Sequence, residues 1–142
     1  MSGEEPARGL IDTNIVIQLA RLDPTDLPEA LVISTVTLAE LSAGPHHTDD
    51  PLERARRISV LQHAESTFDP LPFDADAARA FGRVAAAVLA AGRKPRRRIA
   101  DLMIASIAAV NDLPLYTTNP DDFAGLDGLL DVVAVRPPRT PA

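Results

Sequence analysis

Asp12, Glu40, Asp101, Asn119, Asp121 and Asp122 fall at one recurring place in the chain's pattern, directly after an extended apolar run or near the start of a helix. Asp12 follows Gly9-Leu10-Ile11, Glu40 lies in the helix after Leu31–Ser34, and Asp101 sits in the first turn of a helix beginning near Ile99. Asn119, Asp121 and Asp122 follow Pro114–Thr117. In a parallel α/β sheet all these positions lie at the carboxyl edge of the strands, where sites form. Carboxylates gathered there cannot all stay ionised unless a cation compensates them. A hard divalent ion, Mg²⁺ or Mn²⁺, prefers oxygen ligands, keeps several waters and leaves room for a phosphate oxygen. Such a set permits metal-assisted phosphodiester hydrolysis, with no His or Lys nucleophile required.

Each position also has a plain structural use. Asp12-Thr13 suits a helix cap, Thr37-Leu38-Ala39-Glu40 fits a capping box, and Asn119-Pro120-Asp121-Asp122 is a strong helix opening. Asp101 is hardest to explain this way. Ile99, Leu102, Met103, Ile104, Ile107 and Ala108 make its helix apolar nearly all round, so the carboxylate is expected to be part buried and to need a metal, a proton or a hydrogen-bonding neighbour. His46-His47 follows Gly44-Pro45 in an expected surface loop without a Cys partner, and His63 lies on a helix. No glycine-rich phosphate loop occurs, so ATP and NAD are not implied.

The elements that must position these groups alternate. Extended runs at Gly9–Ile11, Leu31–Ser34, Phe68–Leu71, Pro114–Thr117 and Asp131–Val135 are separated by helical patterns. The helices include one through Ile15, Val16 and Leu19, one over 36–43, and one capped by Asp50 with Leu52, Ala55, Ile58 and Leu61 as its core stripe. Further on come one capped by Asp74 and carrying Ala77, Ala80, Phe81, Val84 and Val88, and one over 99–111. The alternation predicts an α/β fold, a three-layer α/β/α arrangement around a central parallel sheet, as a single domain over 9–135 with flexible ends at 1–8 and 136–142.

Composition agrees and excludes several classes. At 142 residues the chain is one domain's worth, able to bury roughly 70% of its unfolded surface. With 1 Tyr, 4 Phe and no Trp it lacks the aromatic platforms of single-strand binders that stack bases. Without Cys it can form neither disulfides nor thiolate metal sites. The net charge of −6 opposes duplex binding through bulk charge. No apolar run is long enough to span a membrane, and Glu4 and Glu5 interrupt the start, so a cytoplasmic protein is expected.

Four segments together resemble the four motifs of PIN-domain ribonucleases, most closely the VapC toxins. They are Leu10-Ile11-Asp12-Thr13-Asn14, Leu38-Ala39-Glu40-Leu41, Ile99-Ala100-Asp101-Leu102-Met103-Ile104-Ala105 and Leu115-Tyr116-Thr117-Thr118-Asn119-Pro120-Asp121-Asp122-Phe123. The resemblance covers the chain from about Gly9 to Val135. It implies sheet order 3-2-1-4-5 and an Mg²⁺- or Mn²⁺-dependent endoribonuclease leaving a 3′-hydroxyl and a 5′-phosphate. It also implies a homodimer inhibited by a VapB-type antitoxin. Asp12, Glu40 and Asp101 match the family's principal acids, and Asn119 stands where many members carry a fourth carboxylate. An amide there adds no charge, which bears on a second metal. Thr118 and Asn14 resemble supporting polar positions, with Asp121 and Asp122 nearby.

Arg93, Lys94, Arg96, Arg97 and Arg98 place five of the 14 basic residues just before Asp101. A loop of this kind can grip RNA phosphates while the acidic remainder repels nonspecific binding. It also suits docking of acidic antitoxin residues. Three other readings compete with this one: a haloacid-dehalogenase-type phosphatase, disfavoured because Asn14 replaces its second acid; a silent PIN-like binding domain; and a PIN nuclease of RNA processing.

Overall fold

Alternate residues of a strand face opposite sides of a sheet. In β1 (Arg8–Ile11) this sends Leu10 into one core and Ile11 into another. The computed structural model describes residues 5–139 and shows three layers built on that division. On one face α4 (Ala75–Ala90) and α5 (Ile99–Val110) pack on Leu10, Leu115, Phe123 and Leu126. On the other, α1 (Thr13–Gln18) and α3 (Pro51–Thr67) enclose Ile11, Ile15, Val16, Ile33 and Val135. Between them α2 (Thr35–Ala43) gives Val36 to the first core and Leu41 to the second.

The sheet is parallel throughout. Its order is β2 (Ala30–Val32), β1, β3 (Leu115–Thr117), β4 (Val132–Ala134), with Leu10 opposite both Val32 and Leu115. The strand expected at Phe68–Leu71 is only a bridge, in which Leu71 N donates to Ile33 O at 2.9 Å and Thr35 N donates to Leu71 O at 2.9 Å. Helix α3 runs to Thr67 and Pro70 has no N–H to give a ladder, so nothing longer can form there. The bridge lies beside β2, in the place the order 3-2-1-4-5 assigns to that segment.

Two further expectations are corrected. Helix α2 is capped by Ser34, whose Oγ accepts from Thr37 N at 3.1 Å, so Thr37–Glu40 is not its capping box. The stripe Leu52, Ala55, Ile58, Leu61 is not the core face of α3: Leu52 is 62% and Ile58 39% exposed, and the inward residues are Val60, Leu61 and Ala64. Three-residue steps each turn about 300°, so three of them carry a stripe to the opposite side of the helix. The caps Asp12, Asp50 and Asp74 form as expected.

At the start of β1 a Cβ on Gly9 would lie 2.5 Å from Tyr116 Cε1 and 2.8 Å from Pro28 Cγ, so any larger residue there forces its neighbours to shift. Of the ends expected to be flexible, 1–4 and 140–142 lie outside the described residues. Ala7 O accepts from Ala30 N at 3.0 Å, and Arg136 pairs with Asp23 and Asp26. No helix among the described residues is long and apolar enough to cross a membrane.

Candidate active site

The backbone of Asp12 is fixed before its side chain acts. Its N–H donates to Tyr116 O at 3.1 Å, which continues the β1–β3 pairing one residue beyond the strand. The carboxylate, 6% exposed, caps α1 by accepting from Ile15 N at 3.1 Å on Oδ1 and accepts from Thr117 Oγ1 at 2.5 Å on Oδ2. Burial pushes its pKa up. Bonds from Thr117 and from the Ile15 and Asn14 amides oppose that shift, and the nearby Glu40 adds to it.

Glu40 projects from α2 at the solvent edge. Thr13 Oγ1 donates to Glu40 Oε1 at 2.6 Å and lies 3.0 Å from the Thr37 hydroxyl, which in turn lies 3.4 Å from Ser34 Oγ. A short line of hydroxyls thus connects the start of α1 to α2 and holds the Glu40 carboxylate at its end. Asp12 and Glu40 in this way each have a threonine, Thr117 and Thr13, and neither of these residues is exposed.

Asp101 lies in the first turn of α5, its side chain 32% exposed. Its pKa is pushed up to about 6, first by burial and then by Asp122, Glu40 and Asp12, with Arg98 opposing. Three segments distant in sequence therefore surround it with like charge. Asp122 is paired with Arg98, whose Nη1 stands 4.0 Å from Asp101 Oδ2. Asp121 is exposed, and its carbonyl accepts from Arg93 Nη1 at 2.6 Å.

Asn119 caps nothing. Its backbone N donates to Thr117 Oγ1 at 2.9 Å, its amide Nδ2 donates to Thr118 Oγ1 at 3.4 Å, and the helix expected after it is a single 3-10 turn, Pro120–Phe123. Asn14 is exposed and reaches the cluster only through its backbone amide. The side chains that hold the acids are Thr13 and Thr117, one position before Asn14 and Thr118, together with Thr37, and sequence reasoning missed all three. Strand alternation was the available signal, because Thr117 is two positions from buried Leu115 and must face inward with it. Of the basic run, Lys94, Arg96 and Arg97 are exposed while Arg93 and Arg98 turn onto the 3-10 turn.

Among the described residues no three acidic or histidine side chains converge closely enough to ligate one ion directly. The donor set nevertheless fits a hard divalent cation. It is all oxygen, neighbouring like charge adds to the raised proton affinity of Asp12 and Asp101, and an ion that keeps most of its waters needs only one or two direct carboxylates. Beside Glu40, on the α1–α3 side, is a groove of about 650 Å³ with Ile17, Leu41 and Val60 on its walls and Arg21, Arg56 and Arg57 around them.

Residues 9–129 match the family model described as PIN domain. The chain is 38% identical over 134 residues to Ribonuclease VapC5 of Mycobacterium tuberculosis, covering 92% of this chain and 96% of that one. It is 32% identical over 127 residues to the tRNA(fMet)-specific endonuclease VapC of Shigella flexneri, covering 84% and 92%. Its fold is similar to the crystal structure of VapBC-5, a toxin–antitoxin system from Mycobacterium tuberculosis. The TM-score is 0.79 and the identity 39%, over 92% of this chain and 99% of that chain.

Proposed function

The chain belongs to the PIN-domain family and within it to the VapC ribonucleases, and from that premise we propose that it is a toxin whose acid cluster Asp12, Glu40 and Asp101 holds Mg²⁺ or Mn²⁺ for endoribonucleolytic cleavage. The observation that carries this reading is the placing of Asp101 beside Asp122, Glu40 and Asp12, where burial first and then those like charges push its pKa up to about 6. When bound, the cation would activate a water and offset charge building on the phosphate.

The protein's own part is positional. Thr117 and the Ile15 amide hold both oxygens of Asp12, and a carboxylate oxygen that accepts one hydrogen bond has a second lone pair with which to meet a cation. Thr13 fixes Glu40. Asn119 adds an uncharged oxygen where Asp121 and Asp122 stand close, and Thr118 bounds it. Lys94, Arg96 and Arg97 meet the phosphates flanking the cut, and the acidic remainder repels RNA elsewhere.

The partner is a VapB-type antitoxin, in keeping with structural neighbours that are VapBC complexes. The groove beside Glu40 suits an amphipathic helix that brings acidic side chains to Arg21 and Arg56. A cytoplasmic homodimer built from one domain over 9–135 completes the proposal.

Incubating the purified, antitoxin-free chain with total RNA in Mg²⁺, Mn²⁺ or EDTA, beside Asp12→Asn, and sequencing the new 5′ ends tests the activity. Discrete cuts that vanish with chelator and in the variant are expected. Cuts that persist in EDTA, or a folded protein that cleaves with neither ion, would overturn it.

A further inference from the structure

The basic run does not behave as one patch. Lys94, Arg96 and Arg97 face solvent, whereas Arg98 donates to the Asp122 carboxylate and stands 4.0 Å from Asp101 Oδ2. Arg93 fastens the same 3-10 turn through the Asp121 carbonyl at 2.6 Å, so the turn that carries Asp122 is held from two points of the run. Arg98 is also the N-cap of α5 and makes no side-chain capping bond there. The positive end of a helix disfavours a cation, so the carboxylates and not the helix retain the guanidinium at this place.

Resting on the reading above, we propose that Arg98 is a resident counter-ion of the acid cluster, held between Asp101 and Asp122 in the ion-free protein and displaced from them when a divalent cation is loaded. Two cations within about 4 Å of one carboxylate repel each other, and a divalent ion outcompetes a singly charged guanidinium at a site rich in oxygen donors. Once released, Arg98 remains anchored at the first turn of α5 with its planar donor face free, and a phosphate oxygen of the RNA is the acceptor that suits it. The basic run therefore divides its work. Its exposed members bring RNA to the surface, and Arg98 becomes available at the cluster only after ion loading.

The test is Mn²⁺ binding to the full-length chain without RNA, read from the electron paramagnetic resonance signal of free Mn²⁺, for wild type, Arg98→Gln and Arg97→Gln. Arg98→Gln is expected to bind about fivefold tighter, as loss of one competing ion pair allows. Arg97→Gln removes the same charge next door and is expected to stay within about twofold of wild type. Equal tightening in both variants would reduce Arg98 to background charge, and unchanged or weaker binding in Arg98→Gln would overturn the proposal. The wild-type protein supplies a second readout that does not depend on a variant folding. The Arg98 Nε–H resonance is expected to move as Mg²⁺ is added, and a resonance that stays in place would overturn the displacement. Failure of these results with cleavage still dependent on Asp12 and ion removes only the counter-ion role. Cleavage retained in Asp12→Asn removes the assignment of cleavage to the acid cluster and leaves the binding comparison standing. Absence of Mn²⁺ binding in every variant removes both.

Discussion

Two residues of the cluster carry testable energetics. Asp101 has a folded-state pKa of about 6 against an ordinary value of 3.8, so between those pH values the folded protein holds more proton than the unfolded chain. Stability of the ion-free protein therefore falls as pH rises from about 4 to about 6 and stays lower above that. Asp101→Asn is expected to stabilise the ion-free protein at pH 7 by about 1–2 kcal/mol, a value reduced for partial solvent screening, and to change little at pH 4. Thermal melts across that range check it. Mg²⁺ should raise the wild-type melting temperature more at pH 7.5 than at pH 5, because proton and ion compete for the same oxygens, and should do less in Asp101→Asn. Thr117 is the second residue. Thr117→Val keeps the shape but deletes the donor to Asp12 Oδ2. A loss of about 1–3 kcal/mol is expected, with slower RNA cleavage and recovery in Thr117→Ser.

At the scale of elements, β1 is the piece on which the site depends, since Asp12 follows it directly and Leu10 and Ile11 enter opposite cores. Gly9→Ala inserts a methyl group 2.5 Å from Tyr116 Cε1, across the β1–β3 pairing that fixes the Asp12 backbone. A cost of about 1–3 kcal/mol is expected, read by denaturant unfolding, together with impaired cleavage from a displaced Asp12. The elements also show what local patterns reveal. Asp12, Asp50 and Asp74 were legible as caps because a short side chain bonding the amide two or three residues on is a purely local device. The face of α3 was not legible. Apolar residues lie on several sides of that helix, and which side is buried depends on where α1 and α2 stand.

The whole molecule sets up a division of surfaces. The carboxyl edge holds the acids, the run before α5 presents Lys94, Arg96 and Arg97, and the groove of α1–α3 opens beside Glu40 with Ile17 half exposed on its wall. An antitoxin helix seated there would bury Ile17. Ile17→Glu is therefore expected to weaken binding of the co-expressed antitoxin by tenfold or more, about 1.4 kcal/mol, while leaving the melting temperature of the free protein near wild type. Isothermal titration of the purified pair measures the first and a thermal melt the second. Antitoxin affinity unchanged in Ile17→Glu would place the partner elsewhere.

Residue types in chain order determined the α/β class and the alternation of elements, because strand and helix periods and helix caps are written within a few neighbouring residues. Asp12, Glu40, Asp101, Asn119, Asp121 and Asp122 could be assigned to one edge on the same ground, since the carboxyl edge of a parallel sheet follows from the order of elements alone, whereas the choice of Asp12, Glu40 and Asp101 among them came from the resemblance to PIN-domain ribonucleases. Tertiary structure decided what surrounds those acids. Thr117 meets Asp12 across 105 positions and Thr13 meets Glu40 across 27, contacts that exist only once β1 and β3 are paired and α2 has folded against α1. It also decided that Arg98 faces inward while Arg96 and Arg97 face water, a choice made by the position of the Asp122 carboxylate and not by anything in the run Arg96-Arg97-Arg98 itself. Local periodicity fixes which residues are near one another along an element, whereas charge, burial and hydrogen-bond partners depend on which elements the fold brings together.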